Sequence, residues 1–123
     1  MAGSRPDPQL AQALEAVGQA YLEFDYRQPN LQRLRSIEPV VTPELFAALA
    51  TPLPGPLAAE LVMTETIITA ELNDLIPLSS GVWNLHFTVV SQRRTETGSS
   101  TQEIGVRTVT ASVNTLGLVE DVR

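Results

Sequence analysis

The chain divides into two halves with different patterns of apolar residues, and this division limits the folds open to it. Residues 7–50 carry helix signals, whereas residues 58–123 carry the Thr- and Val-rich, alternating pattern of β-strands. Helices followed by a run of strands are typical of an α+β domain. We therefore predict N-terminal helices packed on the concave face of a strongly curved antiparallel sheet, a cone-like architecture.

Length and composition predict one globular domain, with a hydrophobic fraction that is ordinary for soluble proteins. The chain has 123 residues, of which 43% are hydrophobic, and this composition argues against intrinsic disorder. We expect residues 7–123 to form a single domain and residues 1–6 to be a disordered tail or a cloning remnant. No apolar run approaches the roughly 18 residues that a membrane span needs.

Charge and cysteine content exclude several classes of function. The formal net charge is −6, from fourteen acidic and eight basic residues, and there is no cysteine. An acidic domain without a basic stripe is a poor candidate for nucleic-acid binding, because phosphates are neutralised by clustered cations. The absence of cysteine excludes disulfides, thiolate catalysis and Cys-based metal sites.

The first helix has a clear start. Asp7 is a suitable N-cap, and Pro8 suits the first helical position. An apolar stripe with alternating spacings of four and three follows, which predicts one buried helix face. Its members are Leu10, Leu14, Val17, Tyr21 and Phe24.

Two further short helices are predicted before the strands. Asn30 can cap a helix from residue 31 to about residue 37, with Pro39 as its end, and Thr42 followed by Pro43 repeats the start signal. The buried side of the third helix is then supplied by Leu45, Phe46 and Leu49. The proline-rich residues 52–57 are interpreted as a rigid connector between the halves, in preference to a PxxP-type ligand.

The second half predicts four strands. The expected ranges are 61–72, a strand around residues 83–89, about 102–113, and 118–122, with turns at 77–81, 94–100 and 114–117. A shift in the phase of the apolar residues predicts a β-bulge near Arg107. In the second strand one face is apolar and the other carries His86, which should therefore point away from the helices. The apolar positions of that strand are Trp83, Leu85, Phe87 and Val89.

Two segments carry a family resemblance. The sequence Tyr21-Leu-Glu-Phe-Asp-Tyr26 and, after two leucines, Ile37-Glu-Pro-Val-Val-Thr-Pro-Glu-Leu45 resemble the opening of nuclear transport factor 2-like domains. More narrowly, they resemble the extracytoplasmic domains of type IV secretion and conjugation proteins of the TcpC-like kind. The end of the chain departs from that pattern, because Leu116-Gly-Leu-Val-Glu120 replaces the Gly-x-Trp-x-Val ending of many relatives.

The resemblance implies a non-catalytic assembly or scaffold domain of a membrane-anchored conjugation or secretion channel. The implied partners are other channel subunits and further copies of this chain, in a homo-oligomer. The resemblance also implies an upstream membrane anchor absent from these residues, a location on the extracytoplasmic side of the membrane, and no contact between this domain and nucleic acid. No cofactor and no metal are expected. A related possibility is an accessory anchored domain of another envelope system, such as those of lipid-transport operons.

The alternative is a small-molecule-binding protein or an isomerase- or dehydratase-like enzyme with a pocket inside the cone. Members of that kind place a carboxylate or a His–Asp pair in an apolar cone, where burial moves the pKa toward working pH. The polar set would be Asp25, His86 and Tyr21. His86 is the only histidine, so a His-rich metal site is excluded. Scaffold members would instead fill the cone and have no catalytic residue.

Overall fold

The computed structural model describes residues 8–27, 34–51, 55–95 and 98–123. Asp7, Asn30 and the tail at residues 1–6 lie outside the described residues, as does the start of the second predicted helix. In chain order the elements are α1 (Pro8–Leu22), β1 (Phe24–Asp25), a 3₁₀ helix (Arg35–Val40), α2 (Pro43–Leu49), α3 (Gly55–Met63), β2 (Ile67–Ser79), β3 (Val82–Thr95), β4 (Gly98–Val113) and β5 (Val119–Val122).

The strands form one sheet in which neighbours along the chain are neighbours in space. The order is β1-β2-β3-β4-β5, and all these pairs are antiparallel. Helix α1 contacts β2, β3, β4 and β5 from one side of the sheet. The predicted fold class, helices on the concave face of a strongly curved antiparallel sheet, is confirmed. None of the described helices is both long and apolar enough to span a membrane.

The apolar stripe of α1 is buried over its first part only. Leu14 and Val17 are completely buried, as their spacing predicts. Tyr21 is 45% exposed, and Phe24 has already left the helix for β1. The prediction that the stripe stays buried to its end is therefore wrong for Tyr21, since α1 extends past the core before it ends at Leu22.

Among the short helices, the start of α2 is predicted correctly because a local N-cap determines it. The Thr42 side chain accepts a hydrogen bond from the Leu45 amide, 3.2 Å away, which satisfies one of the free donors at the start of α2. Pro39, by contrast, does not end the second predicted helix as expected. It lies inside the 3₁₀ helix Arg35–Val40. The fixed φ of proline matches the φ of a 3₁₀ helix, so it is accommodated there.

Helix α3 is the main error of the sequence prediction. Residues 55–57 were expected in a connector and residues 61–63 in a strand, but Gly55–Met63 is helical and the strand begins only at Ile67. A glycine and a proline open this helix, and strong helix formers follow them, so the segment starts and continues as a helix. Residues 52–54 lie outside the described residues.

Strands β2, β3 and β4 extend beyond their predicted ends, and the predicted bulge lies at a different residue. Strand β2 runs to Ser79 and β4 begins at Gly98, so the hairpin tip between β3 and β4 is shorter than residues 94–100. The predicted bulge near Arg107 is instead at Ile104, where the β3–β4 register shifts. Gly105, next to it, has a φ of 117°, which glycine adopts at low cost. The phase shift in the sequence thus indicated a real bulge, slightly misplaced.

A turn between α3 and β2 joins three elements through Glu65. This residue has a φ of 47°, in the left-handed region that costs a side-chain-bearing residue about 1–2 kcal/mol. Its carboxylate accepts a hydrogen bond from the Tyr26 hydroxyl at 3.3 Å and forms an ion pair with Arg94. The carboxylate therefore ties the end of β1 and the end of β3 to the turn.

Glu65→Gly is expected to change the free energy of unfolding by less than about 1 kcal/mol, because lost backbone strain offsets a lost exposed ion pair. Glu65→Val should lower it by about 1–3 kcal/mol, since a β-branched residue suits a positive φ poorly. Urea unfolding of both variants measures the difference. Equal destabilisation by the two substitutions would show that the side-chain contacts, and not the backbone conformation, matter at this turn.

Candidate functional site

The concave face of the sheet is filled by side chains. Leu14 and Val17 of α1 lie against Leu85 and Phe87 of β3, and all four are fully buried. Further core members come from the 3₁₀ helix, α2, β4 and β5. The centre of the cone, where a ligand would sit in a pocket-bearing protein of this shape, is therefore occupied by the protein's own apolar residues.

Helix α1 approaches the sheet closely because it carries glycine at the contact. A Cβ placed on Gly18 would lie 2.4 Å from Cζ and 2.6 Å from Cε2 of Phe87. Both distances are far below van der Waals contact, so the Phe87 ring occupies the space that any side chain at Gly18 would need. This contact closes the middle of the cone.

An apolar cleft of about 480 Å³ opens at the far end of α1. It lies between the C-terminal end of α1, the end of α2 and helix α3. Among the described lining residues, Glu23 carries the one carboxylate. It accepts a hydrogen bond from the Ala70 amide at 2.9 Å and so binds to the backbone of β2. The main lining side chains are Tyr21, Phe24, Leu49, Leu57, Leu61 and Ile68.

Asp25 is held by a neighbouring arginine. Its carboxylate accepts hydrogen bonds from the Arg27 amide at 2.9 Å and from the guanidinium Nε and Nη2 at 3.0 and 2.8 Å. The side-chain hydrogen bonds to Asp25, together with its negative charge, raise the pKa of Arg27 above its usual value. An aspartate in a bidentate pair with an exposed arginine is stabilised in its charged form.

His86 lies on the other side of the sheet. In β3 it alternates with the buried Leu85 and Phe87, and its register partners are Asp74 on β2 and Thr108 on β4. The side chain is partly exposed. His86 is thus separated by the sheet from the face that α1 covers.

The three residues of the enzyme alternative occupy different surroundings. Tyr21 lines the apolar cleft, whereas Asp25 pairs with Arg27, and His86 is on the opposite face of the sheet. Their catalytic role stays a prediction. Within the described ranges, no three His, Asp or Glu residues are grouped in a way that could hold a metal ion.

Sequence reasoning missed the exposed apolar side of α3. Leu57, Val62 and Met63 are exposed, and Met63 is 82% exposed. Among the described residues of this helix, Leu61 is the one that is buried. The available signal was the Gly55-Pro56 start followed by helix formers. Because the segment was assigned to a connector and a strand, no helix face could be derived for it.

Comparison with known proteins gives a fold but no family. No protein-family model matches the sequence, and a comparison with curated proteins found no match. The fold is shared with an IcmL-like type IV secretion system protein from Legionella pneumophila, with 18% identity over 98% of this chain and 93% of that chain and a TM-score of 0.59. A periplasmic fragment of TraM matches over 96% of both chains with 19% identity and a TM-score of 0.46.

The predicted resemblance to type IV secretion proteins is therefore confirmed at the level of the fold. The identity of 18% is too low to carry residue roles from one chain to the other. The nuclear transport factor 2-like assignment remains a prediction.

Proposed function

We propose that this chain is a non-catalytic scaffold domain of a conjugation or type IV secretion assembly, placed on the extracytoplasmic side of the cell membrane by an anchor outside these residues. It contacts other subunits of the assembly and further copies of itself. Its surfaces, and not a pocket, carry the function.

One observation carries this proposal above the others. The concave face is packed shut by Leu14, Val17 and Phe87, in a domain whose fold is also that of an IcmL-like type IV secretion system protein. A domain that binds a ligand in its cone needs that volume open. A scaffold needs a rigid body with available surfaces, and a filled core supplies rigidity.

The mechanism follows from tethering. An anchor would restrain the domain near the bilayer and raise the effective concentration of its partners to the millimolar range, roughly, for short linkers. Individual contacts between domains can then be weak and still produce a stable assembly. This fits a domain with scattered exposed apolar residues on α3 and on the sheet.

The test replaces the three residues of the enzyme alternative and compares these variants with the wild-type protein in cells. We expect Asp25→Ala, His86→Ala and Tyr21→Phe to leave secretion or DNA transfer within about twofold of the wild type, because a scaffold domain needs no catalytic side chain and single substitutions of this size rarely unfold a domain. Transfer frequency or secreted reporter measures this. A core variant that unfolds the domain is the positive control.

The second candidate function is a small-molecule-binding protein or enzyme, and the cleft favours it. Its volume of about 480 Å³ lies within the range of ligand pockets, and Tyr21 lines it. If Asp25→Ala or His86→Ala abolishes function while the circular dichroism and thermal midpoint stay native, the scaffold proposal is wrong. The enzyme alternative would then lead.

A further inference from the structure

The two edges of the sheet differ in how far other parts of the chain pair with them. Strand β1 pairs with Ile67 and Ile68 at the start of the β2 edge. At the next outward-facing residue, Ala70, one side chain of α1 and one side chain just after α1 complete the hydrogen bonding. Gln19 Nε2 donates to the Ala70 carbonyl at 3.2 Å, and the Ala70 amide donates to Glu23 Oε2 at 2.9 Å. These two side chains therefore act in place of a neighbouring strand.

The remainder of the β2 edge is poorly suited to receiving a strand. The register shifts between Leu72 and Asp74, and a bulge bends an edge away from regular pairing. Pro77, further along, has no N–H to donate. Bulges, edge prolines and edge charges are the features by which proteins prevent unwanted strand pairing.

The outer edge of β4 is open. Strand β5 pairs only with residues 111–113, and Thr110 exchanges two hydrogen bonds with Arg123. Among the described residues no strand pairs with the outer side of residues 99–109. Since backbone groups alternate in direction along a strand, the N–H and C=O groups of Thr108 and Val106 face outward like those of Thr110. Val106 is 65% exposed and Ile104 is 39% exposed.

This edge has few of the features that protect β2. Residues 98–109 contain no proline and no lysine, and their one glutamate and one arginine leave the segment neutral in a chain of net charge −6. The bulge at Ile104 divides the edge into two regular stretches, before and after Gly105. A row of unpaired backbone donors and acceptors is matched by another β-strand.

We infer that the outer edge of β4 pairs antiparallel with the same edge of a second copy of this chain, extending the sheet across a two-fold axis. The stretch after the bulge in one copy pairs with the stretch before the bulge in the other. Such an interface is isologous, as in most protein dimers. The inference rests on the proposed function, because it names the surface through which the scaffold contacts itself.

The register that joins these stretches avoids like charges. Arg107 lies opposite Phe87 and Gln102 lies opposite Ser91 in β3. Phe87 and Ser91 are both buried on the same face, so Arg107 and Gln102 also share a face. Pairing Arg107 of one copy with Gln102 of the other keeps the two arginines apart. Like charges directly opposite each other would destabilise the pair.

The test uses proline at an outward-facing position. Val106→Pro removes an N–H that faces away from β3, so the β3–β4 ladder is retained. We expect the full chain to show a concentration-dependent dimer in sedimentation equilibrium and Val106→Pro to weaken it at least about tenfold, the loss of one or two net hydrogen bonds. Val106→Thr, which keeps the N–H, is the matched control and should dimerise like the wild type.

A cross-linking experiment keeps the inference falsifiable if Val106→Pro fails to fold. The chain has no cysteine, so Val106→Cys introduces a single thiol at the proposed interface. It should form a cross-linked dimer with a short bismaleimide. Leu78→Cys, at an exposed site on β2, should not. A dimer cross-linked equally well through both thiols would overturn the inference.

Failure of this inference is distinguishable from failure of the proposed function. A wild-type chain that stays monomeric up to roughly 1 mM, the effective concentration of a tethered domain, overturns strand pairing. So does a dimer that Val106→Pro leaves unchanged. Neither result changes the interpretation of the transfer assay with Asp25→Ala and His86→Ala. That assay tests the scaffold function separately.

Discussion

Phe87→Ala is expected to lower the free energy of unfolding by about 3–5 kcal/mol. Phe87 is fully buried at the centre of the core and contacts both α1 and its sheet neighbours. Its removal loses apolar burial and leaves a cavity that α1 cannot close without moving. Because domains of this size are stable by about 5–15 kcal/mol, the variant should lose a large part of its stability.

Urea unfolding monitored by Trp83 fluorescence measures this loss. Leu78→Ala is the matched control, since Leu78 is an apolar β2 residue that is 54% exposed. We expect the control to stay within about 0.5 kcal/mol of the wild type. A small effect of Phe87→Ala, similar to that of the control, would mean that the cone is open in solution, and it would count against the scaffold proposal.

Gly18→Val is expected to destabilise the domain by about 3 kcal/mol or more, at the upper end of overpacking effects. The new side chain would collide with the Phe87 ring, whose nearest carbon is 2.4 Å from the Cβ position, and Leu85 Cδ2 is only 3.3 Å away. The ring is enclosed by the core and has little room to move. Helix α1 would have to rise from the sheet, exposing Leu14 and Val17.

A double-mutant cycle tests whether this collision is the cause. Gly18→Ala alone gains up to about 1 kcal/mol of helix propensity, so any net destabilisation reports the contact with Phe87. Phe87→Leu removes the ring atoms that occupy the space beside Gly18. The double variant Gly18→Val/Phe87→Leu should be destabilised by about 1 kcal/mol less than the sum of the two single destabilisations. Strict additivity would show that Gly18 is required for another reason.

Local signals predicted those elements whose ends are decided by neighbouring residues. The Thr42 cap and Pro43 start α2 as expected, and the alternation around Phe87 identified which face of β3 is buried. It also placed His86 on the other face. These features depend on hydrogen bonds and periodicities within a few residues, so they can be read from the chain alone.

The candidate site was less predictable. Asp25, Tyr21 and His86 form the polar set of the enzyme alternative because the resemblance implies a carboxylate or a His–Asp pair inside the cone. Their actual surroundings depend on where α1 ends relative to the sheet and, for His86, on which face of β3 the side chain occupies. Tyr21 extends beyond the core, and Asp25 turns to Arg27. The cleft was not foreseen at all, because helix α3 forms one of its walls and was assigned to other structure.

The sequence by itself determined the class of the fold, the caps of α2, the buried face of β3 and the presence of a bulge in β4. Only the tertiary structure decided that the cone is filled at Gly18 and Phe87 and that Gln19 and Glu23 bind the β2 edge at Ala70. It also decided that, within the described part of the chain, no strand covers the outer edge of β4 at residues 99–109. The physical reason is the range of the interactions. Caps and alternation act between near neighbours in the chain, whereas packing and edge protection join residues that the chain brings together only after the sheet has formed.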